Sequence, residues 1–188
     1  MGWIEANKKY RLKMNRRAFG FSAAASLALA GCSSAGGNVS RFQAYDGPQV
    51  TSIVINKGAR KLYLLNNDKI LREYEVELGF APLGHKQFEG DGKTPEGTYV
   101  IDRRNPNSRY HLSVGISYPN TQDRANARAN GKRPGGEIFI HGQPNNAKER
   151  KRAARVDDWT AGCIAVTNEA IEEIYAMVQD GTTIALRP

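Results

Sequence analysis

From Val50 to the C-terminus the chain is a succession of short runs in which apolar and polar residues alternate, each stopped by Gly, Pro, Asn or Asp. A period of two puts alternate side chains on opposite faces, so such runs make half-buried strands, and their frequent interruption excludes a helical bundle. Val50 to Ile55 is the first run and Lys61 to Leu65 the second, after a turn at Lys57-Gly58-Ala59. Asn66-Asn67-Asp68 then introduces Lys69 to Leu78. There Ile70, Arg72, Tyr74, Val76 and Leu78 share one face, and Leu71, Glu73, Glu75 and Glu77 share the other. That pattern predicts a hairpin or meander with one wet face. Gly79 to Gly92 reads as a loop. Gly97 to Ile101, His111 to Ser117 and Glu137 to Ile140 read as further strands, the last ending at His141-Gly142. With 19 Gly and 8 Pro in 188 residues and no internal repeat, the expectation is one mostly β domain over residues 49–188, a sandwich or open barrel.

One helix is predicted, over about Asn168 to Gln179. Ile171, Ile174, Tyr175 and Val178 stand at the spacing of one helical face, and Thr167 or Asn168 can cap its start. Glu169, Glu172 and Glu173 place negative charge at the positive end of the helix. Asp180-Gly181 closes it, and Thr182 to Leu186 supplies a last strand. The reading is a C-terminal amphipathic helix that serves as scaffold.

The N-terminal 31 residues differ in kind. Six Lys and Arg between Lys8 and Arg17 precede Ala18 to Ala30, an apolar run of 13 residues. Such a run is too short to span a bilayer but suits the apolar part of an export signal. It ends in Leu29-Ala30-Gly31-Cys32, which resembles a bacterial lipoprotein signal, with Cys32 as the lipid-bearing residue. Arg16-Arg17-Ala18-Phe19 resembles a twin-arginine signal, although Asn15 and Gly20 depart from it, so the Sec route stays open; Met14 is a second possible start. Residues 1–31 are thus read as a signal peptide and 32–48 as a flexible tether rich in Gly, Ser and Ala. The product is expected in the cell envelope or periplasm, held to a membrane by its lipid; Ser33 is compatible with the outer membrane. The leader carries a net charge of +5, which leaves +3 for the rest and gives no electrostatic case for nucleic acid.

Cys163 is the only thiol beyond the leader and tether, set in Trp159-Thr160-Ala161-Gly162-Cys163-Ile164-Ala165-Val166. A buried structural cysteine is the plain alternative. Against it stand Gly162, which opens the backbone beside the sulfur, and His141 at a strand end, a rigid place for the base that a thiol needs. His141-Gly142, Cys163 and the upstream Lys93-Thr94-Pro95-Glu96-Gly97-Thr98-Tyr99 together resemble the catalytic domain of L,D-transpeptidases, the YkuD-type family of bacterial cell-wall enzymes. The resemblance covers approximately Val50 to Pro188 and implies a mostly β, sandwich-like fold.

It also implies a chemistry: Cys163 attacks a carbonyl of a peptidoglycan stem peptide, His141 is its base, and the Gly142 carbonyl orients the imidazole. Trp159, Thr160, Gly162 and Tyr118 are the expected substrate-binding residues. Thr160, Gly162, Cys163 and Ile164 match the family pattern, whereas Ala161 stands in place of a His and Ala165 in place of Arg or Asn. The segment from Trp159 to Ala165 resembles a divergent branch related to the cell-wall protein YafK, for which hydrolysis of a crosslink or of a wall-attached protein is a family activity. Those two alanines favour hydrolysis slightly over transpeptidation; a non-catalytic wall-binding module is the alternative from another class. No cofactor is expected, and no CxxC or HExxH pair argues for a metal. His85 reads as an exposed loop residue and His111 as structural or supporting. The basic stretch from Asp123 to Arg155 reads either as solvated surface or as a partly ordered lid beside His141.

Overall fold

The computed structural model describes residues 40–188. The leader, Cys32 and the first part of the tether lie outside the described residues. Eight strands form one mixed sheet: β1 (Ser52–Asn56), β2 (Lys61–Asn66), β3 (Lys69–Glu75), β4 (Gly97–Asn105), β5 (Ser113–Ile116), β6 (Phe139–His141), β7 (Ile164–Ala165) and β8 (Thr183–Arg187). Their spatial order is β3-β2-β1-β8-β4-β5-β6-β7, with β1·β8 and β6·β7 parallel and the other pairs antiparallel.

Of the sandwich or open barrel expected, the structure has the second form: one continuous mixed sheet curled into a half-barrel. The reason is β4, the longest strand. Gly97 to Val100 pair with β8, and Ile101 to Asn105 pair with β5 across a register shift between Ile101 and Arg103. A bulge of this kind bends a sheet without dividing it. The hollow is filled by side chains such as Ile53, Leu62, Leu64, Ile101, Ile116 and Ile140, each fully buried. Burial of each contributes about 2 kcal/mol.

The predicted helix is α3 (Asn168–Met177), capped by the Thr167 hydroxyl accepting from the Ala170 N–H. Its Ile171 and Ile174 are fully buried, and it packs against β5 and β6. It stops short of Gln179 because Val178 is already extended. Two further helices, α1 (Thr121–Ala129) and α2 (Ala147–Ala153), occupy the polar stretch read as surface or lid. Neither has an apolar stripe: α1 buries only Asp123 and Ala127, and α2 only Ala153. Their caps are local, with Asn120 and Asp123 in a reciprocal capping box and Asn146 accepting from Lys148 and Glu149 N–H groups.

The run from Lys69 to Leu78 is not one strand. β3 is an edge that leaves Ile70 exposed, and its pairing with β2 shifts between Leu64 and Leu65. Beyond Glu75 the chain departs, buries Val76 and Leu78, and pairs with the segment around Cys163. The end of the tether is also less free than its composition suggests. Arg41 donates to the His111 carbonyl at 3.4 Å and Gln43 to Glu172 at 3.3 Å, while Tyr45 packs against the core.

Candidate functional site

Cys163 sits on a tight excursion between Thr160 and β7, strapped from below by residues 77–80. Glu77 exchanges both backbone hydrogen bonds with Ala165, the Thr160 N–H donates to the Leu78 carbonyl, and the Phe80 N–H donates to Thr160. Within the excursion the Thr160 hydroxyl donates to the Cys163 carbonyl at 2.7 Å and accepts from the Gly162 N–H at 3.1 Å. Thr160 is thus a buried brace for the thiol-bearing turn.

Gly162 has φ of +131°, and a Cβ there would lie 2.6 Å from the Lys93 carbonyl oxygen. Side-chain residues rarely adopt that conformation, and the obstacle is backbone. Gly162→Ala is therefore expected to cost at least about 2 kcal/mol and to displace the thiol. Thermal denaturation and thiol-labelling rates check this; a variant with unchanged melting and labelling would show that the turn is not so constrained.

The Lys93 to Tyr99 motif holds the other side of this turn. Thr94 is fully buried, and its hydroxyl accepts from the Gly79 N–H at 3.1 Å. Lys57, also buried, ties the loop down by donating to the carbonyls of Gly84 and Thr94 and pairing with Glu96 at 2.8 Å. The sequence marked Lys57 only as part of a turn. A buried cation needs its partners, and these three lie far away along the chain.

His141 ends β6 and is only 3% exposed. One ring nitrogen, Nδ1, lies 2.7 Å from the Gly142 carbonyl; a carbonyl only accepts, so Nδ1 carries the proton and Nε2 has a free lone pair. Burial holds the imidazole down at a pKa of about 4, with the Gly142 hydrogen bond opposing. The ring is therefore neutral near pH 7. Tyr110 stacks on it at 4.4 Å between centroids, and Trp159 stands tilted against it at 5.7 Å. Gly142 allows the close packing behind it, since a Cβ there would meet the Asn168 side chain at 2.7 Å and Ile171 at 2.9 Å.

The Cys163 thiol is half-buried and donates to the Glu137 carbonyl at 3.4 Å. Burial pushes its pKa up; the Phe139 N–H and the charges of Lys86 and Arg103 act the other way but do not reverse it. Two cavities meet at this sulfur. A cavity of about 720 Å³ is lined by Lys86, Arg133, Gly136, Ile138 and Ala161 together with Cys163. The other, of about 260 Å³, is lined by both Cys163 and His141, together with Ser108, Arg109 and Tyr110. A neutral thiol and a neutral imidazole with a free lone pair, both lining one cavity, suit proton transfer as the sulfur attacks, without a standing ion pair.

Several residues lie elsewhere than the sequence suggested. Tyr118, an expected groove wall, is buried in the core against Tyr99 at 6.0 Å and donates to the Pro134 carbonyl; it lines neither cavity. His85 is not an exposed loop side chain. Its Nδ1 accepts from the Glu96 N–H at 2.9 Å, and its Nε2 faces the buried Asp123 carboxylate at 3.1 Å. His111 pairs with Glu172 of α3 at 2.6 Å, a supporting position. Ala165 is buried in β7, whereas Ala161 is exposed on the larger cavity. Tyr110 and Glu137 carried no sequence signal and stand next to the imidazole and the thiol. Among the described residues no cluster of three His, Cys, Asp or Glu side chains is placed to hold a metal.

A curled mixed sheet that presents one thiol and one neutral imidazole to a shared cavity defines a thiol-and-imidazole class of β domain. The chain belongs to the YkuD family: the family's profile, the L,D-transpeptidase catalytic domain, matches residues 51–186. YafK of Escherichia coli K12, a curated protein named for the same family, is 34% identical over 112 residues, 58% of this chain and 38% of YafK. The chain thus spans well under half the length of that relative. The crystal structure of the helical cell shape determining protein Pgp2 from Campylobacter jejuni is similar at 28% identity and a TM-score of 0.55, covering 76% of this chain and 49% of Pgp2.

Proposed function

We propose that the domain is a cysteine-dependent enzyme that processes amide bonds of peptidoglycan stem peptides through a thioacyl intermediate. Family membership supports the substrate class, and the shared cavity of Cys163 and His141 is the observation that carries the chemistry. Nε2 of His141 takes the Sγ proton as sulfur attacks the stem-peptide carbonyl, giving a tetrahedral adduct. The imidazolium, with its low pKa, then gives that proton to the departing amine, and the thioester is left on Cys163. The Gly142 carbonyl keeps the ring in the tautomer this sequence of steps needs. Trp159 and Tyr110 act by holding the ring, and Thr160 and Gly162 by holding the thiol turn.

The acceptor is read from Ala161. Exposed on the larger cavity, it offers no group to orient an incoming amine, which favours water and hence hydrolysis of a crosslink or of a wall-attached protein. Ala165, buried in β7, has no part in that choice. Location in the cell envelope follows from the family's substrate, and anchoring through Cys32 is proposed from the leader sequence alone.

The test is incubation of a crosslinked muropeptide, and separately of a tetrapeptide donor with an amine acceptor, in water enriched in heavy oxygen. Hydrolysis places heavy oxygen in the carboxyl released from the crosslink. An untouched crosslink together with purely acceptor-joined donor product would establish transpeptidation and overturn the hydrolytic reading.

A further inference from the structure

Four cations on and just after α2 share a recess. Lys148, Lys151, Arg152 and Arg155, with Ala147 and the half-exposed Val156, line a cavity of about 530 Å³. Among the described residues none of the four forms an ion pair. The other charges of the helix are engaged: Glu149 faces Arg109 at 3.6 Å, and Arg150 donates to the Pro144 and Asn145 carbonyls. Lys148 and Arg152 stand four residues apart on α2, so that pair repels. Cations in a last helical turn complement the helix dipole, which accounts for Arg152. Lys148, in the first turn, sits at the end where a cation is disfavoured. A set of unanswered like charges around one recess is stabilised by an external anion.

We infer that this recess is a second anion-binding site, which holds carboxylate-bearing stem peptides of the wall next to the one entering the thiol cavity; the inference rests on the proposed wall substrate. Continuity favours this occupant. Arg109, which lines the cavity holding Cys163 and His141, meets Glu149 of α2 at 3.6 Å, so the helix that carries the recess is tied to the rim of that cavity. Charge favours it too: the four cations lining the recess complement the carboxylates of stem peptides. The site acts on the polymer and not on the isolated substrate. A wall fragment with one stem peptide reaches the thiol without it, while a continuous wall engages both places and gains by effective concentration.

The experiment compares co-sedimentation of the full chain with intact sacculi and with sacculi whose carboxylates have been amidated, in low salt and in screening salt. Wild-type protein is expected to bind the native wall about tenfold more tightly than the amidated wall in low salt, with the difference lost on screening. A variant with Lys148→Gln, Lys151→Gln, Arg152→Gln and Arg155→Gln should bind native sacculi as weakly as wild type binds amidated ones, yet turn over soluble muropeptides at the wild-type rate. Equal wild-type binding to native and amidated walls overturns the site, and this arm does not depend on the variant's folding. A folded variant with wild-type sacculus binding overturns it as well. So does retained sacculus binding with loss of binding to vesicles of anionic phospholipid, which would assign the recess to a membrane. Failure of wild type to turn over soluble muropeptides counts against the proposed function alone, because wall binding is read separately.

Discussion

Cys163→Ala will reduce turnover of muropeptides by about 10⁴-fold or more, because binding and cavity shape are all that a site retains without its nucleophile. The same variant will melt within about 3 °C of wild type. The reasons for this separation are local. The sulfur donates one weak hydrogen bond, to the Glu137 carbonyl, and borders two cavities, so its removal does not empty a packed core. The turn around it is held by Thr160, by Gly162 and by the strap at residues 77–80, none of which needs the thiol. Chromatographic muropeptide profiles and a thermal scan check both halves. Wild-type turnover in the alanine variant would remove the thiol from the mechanism; a large loss of stability would make Cys163 the structural cysteine that its burial alone suggests.

His141→Gln will cut acylation by about 10³-fold and will also flatten the dependence of stability on pH. Folding lowers the pKa of this group from 6.5 to about 4, so between those values the unfolded chain binds the proton and the native one does not. Stability therefore rises with pH across that window. His141 contributes no penalty above its unfolded pKa and costs up to about 3 kcal/mol once pH has fallen to about 4. Denaturant titrations of wild type and variant at pH 7 and pH 4 read that difference directly. The acid limb of the acylation rate should likewise lie near pH 4, since Nε2 stays unprotonated down to that point. An acid limb near the ordinary histidine value, with the same pH dependence of stability in both proteins, would mean that the imidazole is not desolvated as described.

The distribution of success between sequence and structure follows from where each signal resides. α3 was legible because Ile171 and Ile174 repeat at the helical period and are both buried, and most strands were legible because alternate residues face the core. α1 and α2 were not, since they bury three side chains between them and are set by caps rather than by an apolar face. β7 is two residues long, and its pairing with β6 and with Glu77 depends on segments distant in the chain. Alternation alone does not choose between sandwich and open barrel; the choice is made at β4, where one strand serves both halves of the sheet.

At the site, Cys163 and His141 could be singled out by residue type and by family resemblance. Tyr110 could not, because an aromatic beside a strand is ordinary until its ring is found on an imidazole. Tyr118 was misplaced for the same reason in reverse: an aromatic suited to a groove is equally suited to the core, and here the core has it.

Intact-protein mass spectrometry after rapid mixing with a purified tetrapeptide muropeptide reads the thioester on Cys163 itself. The expected result is a transient mass increase equal to the acyl fragment of the substrate, mapped by digestion to Cys163, absent in Cys163→Ala and slowed about 10³-fold in His141→Gln. Turnover of the muropeptide without any adduct on Cys163, or an adduct that forms at the wild-type rate without His141, would contradict it.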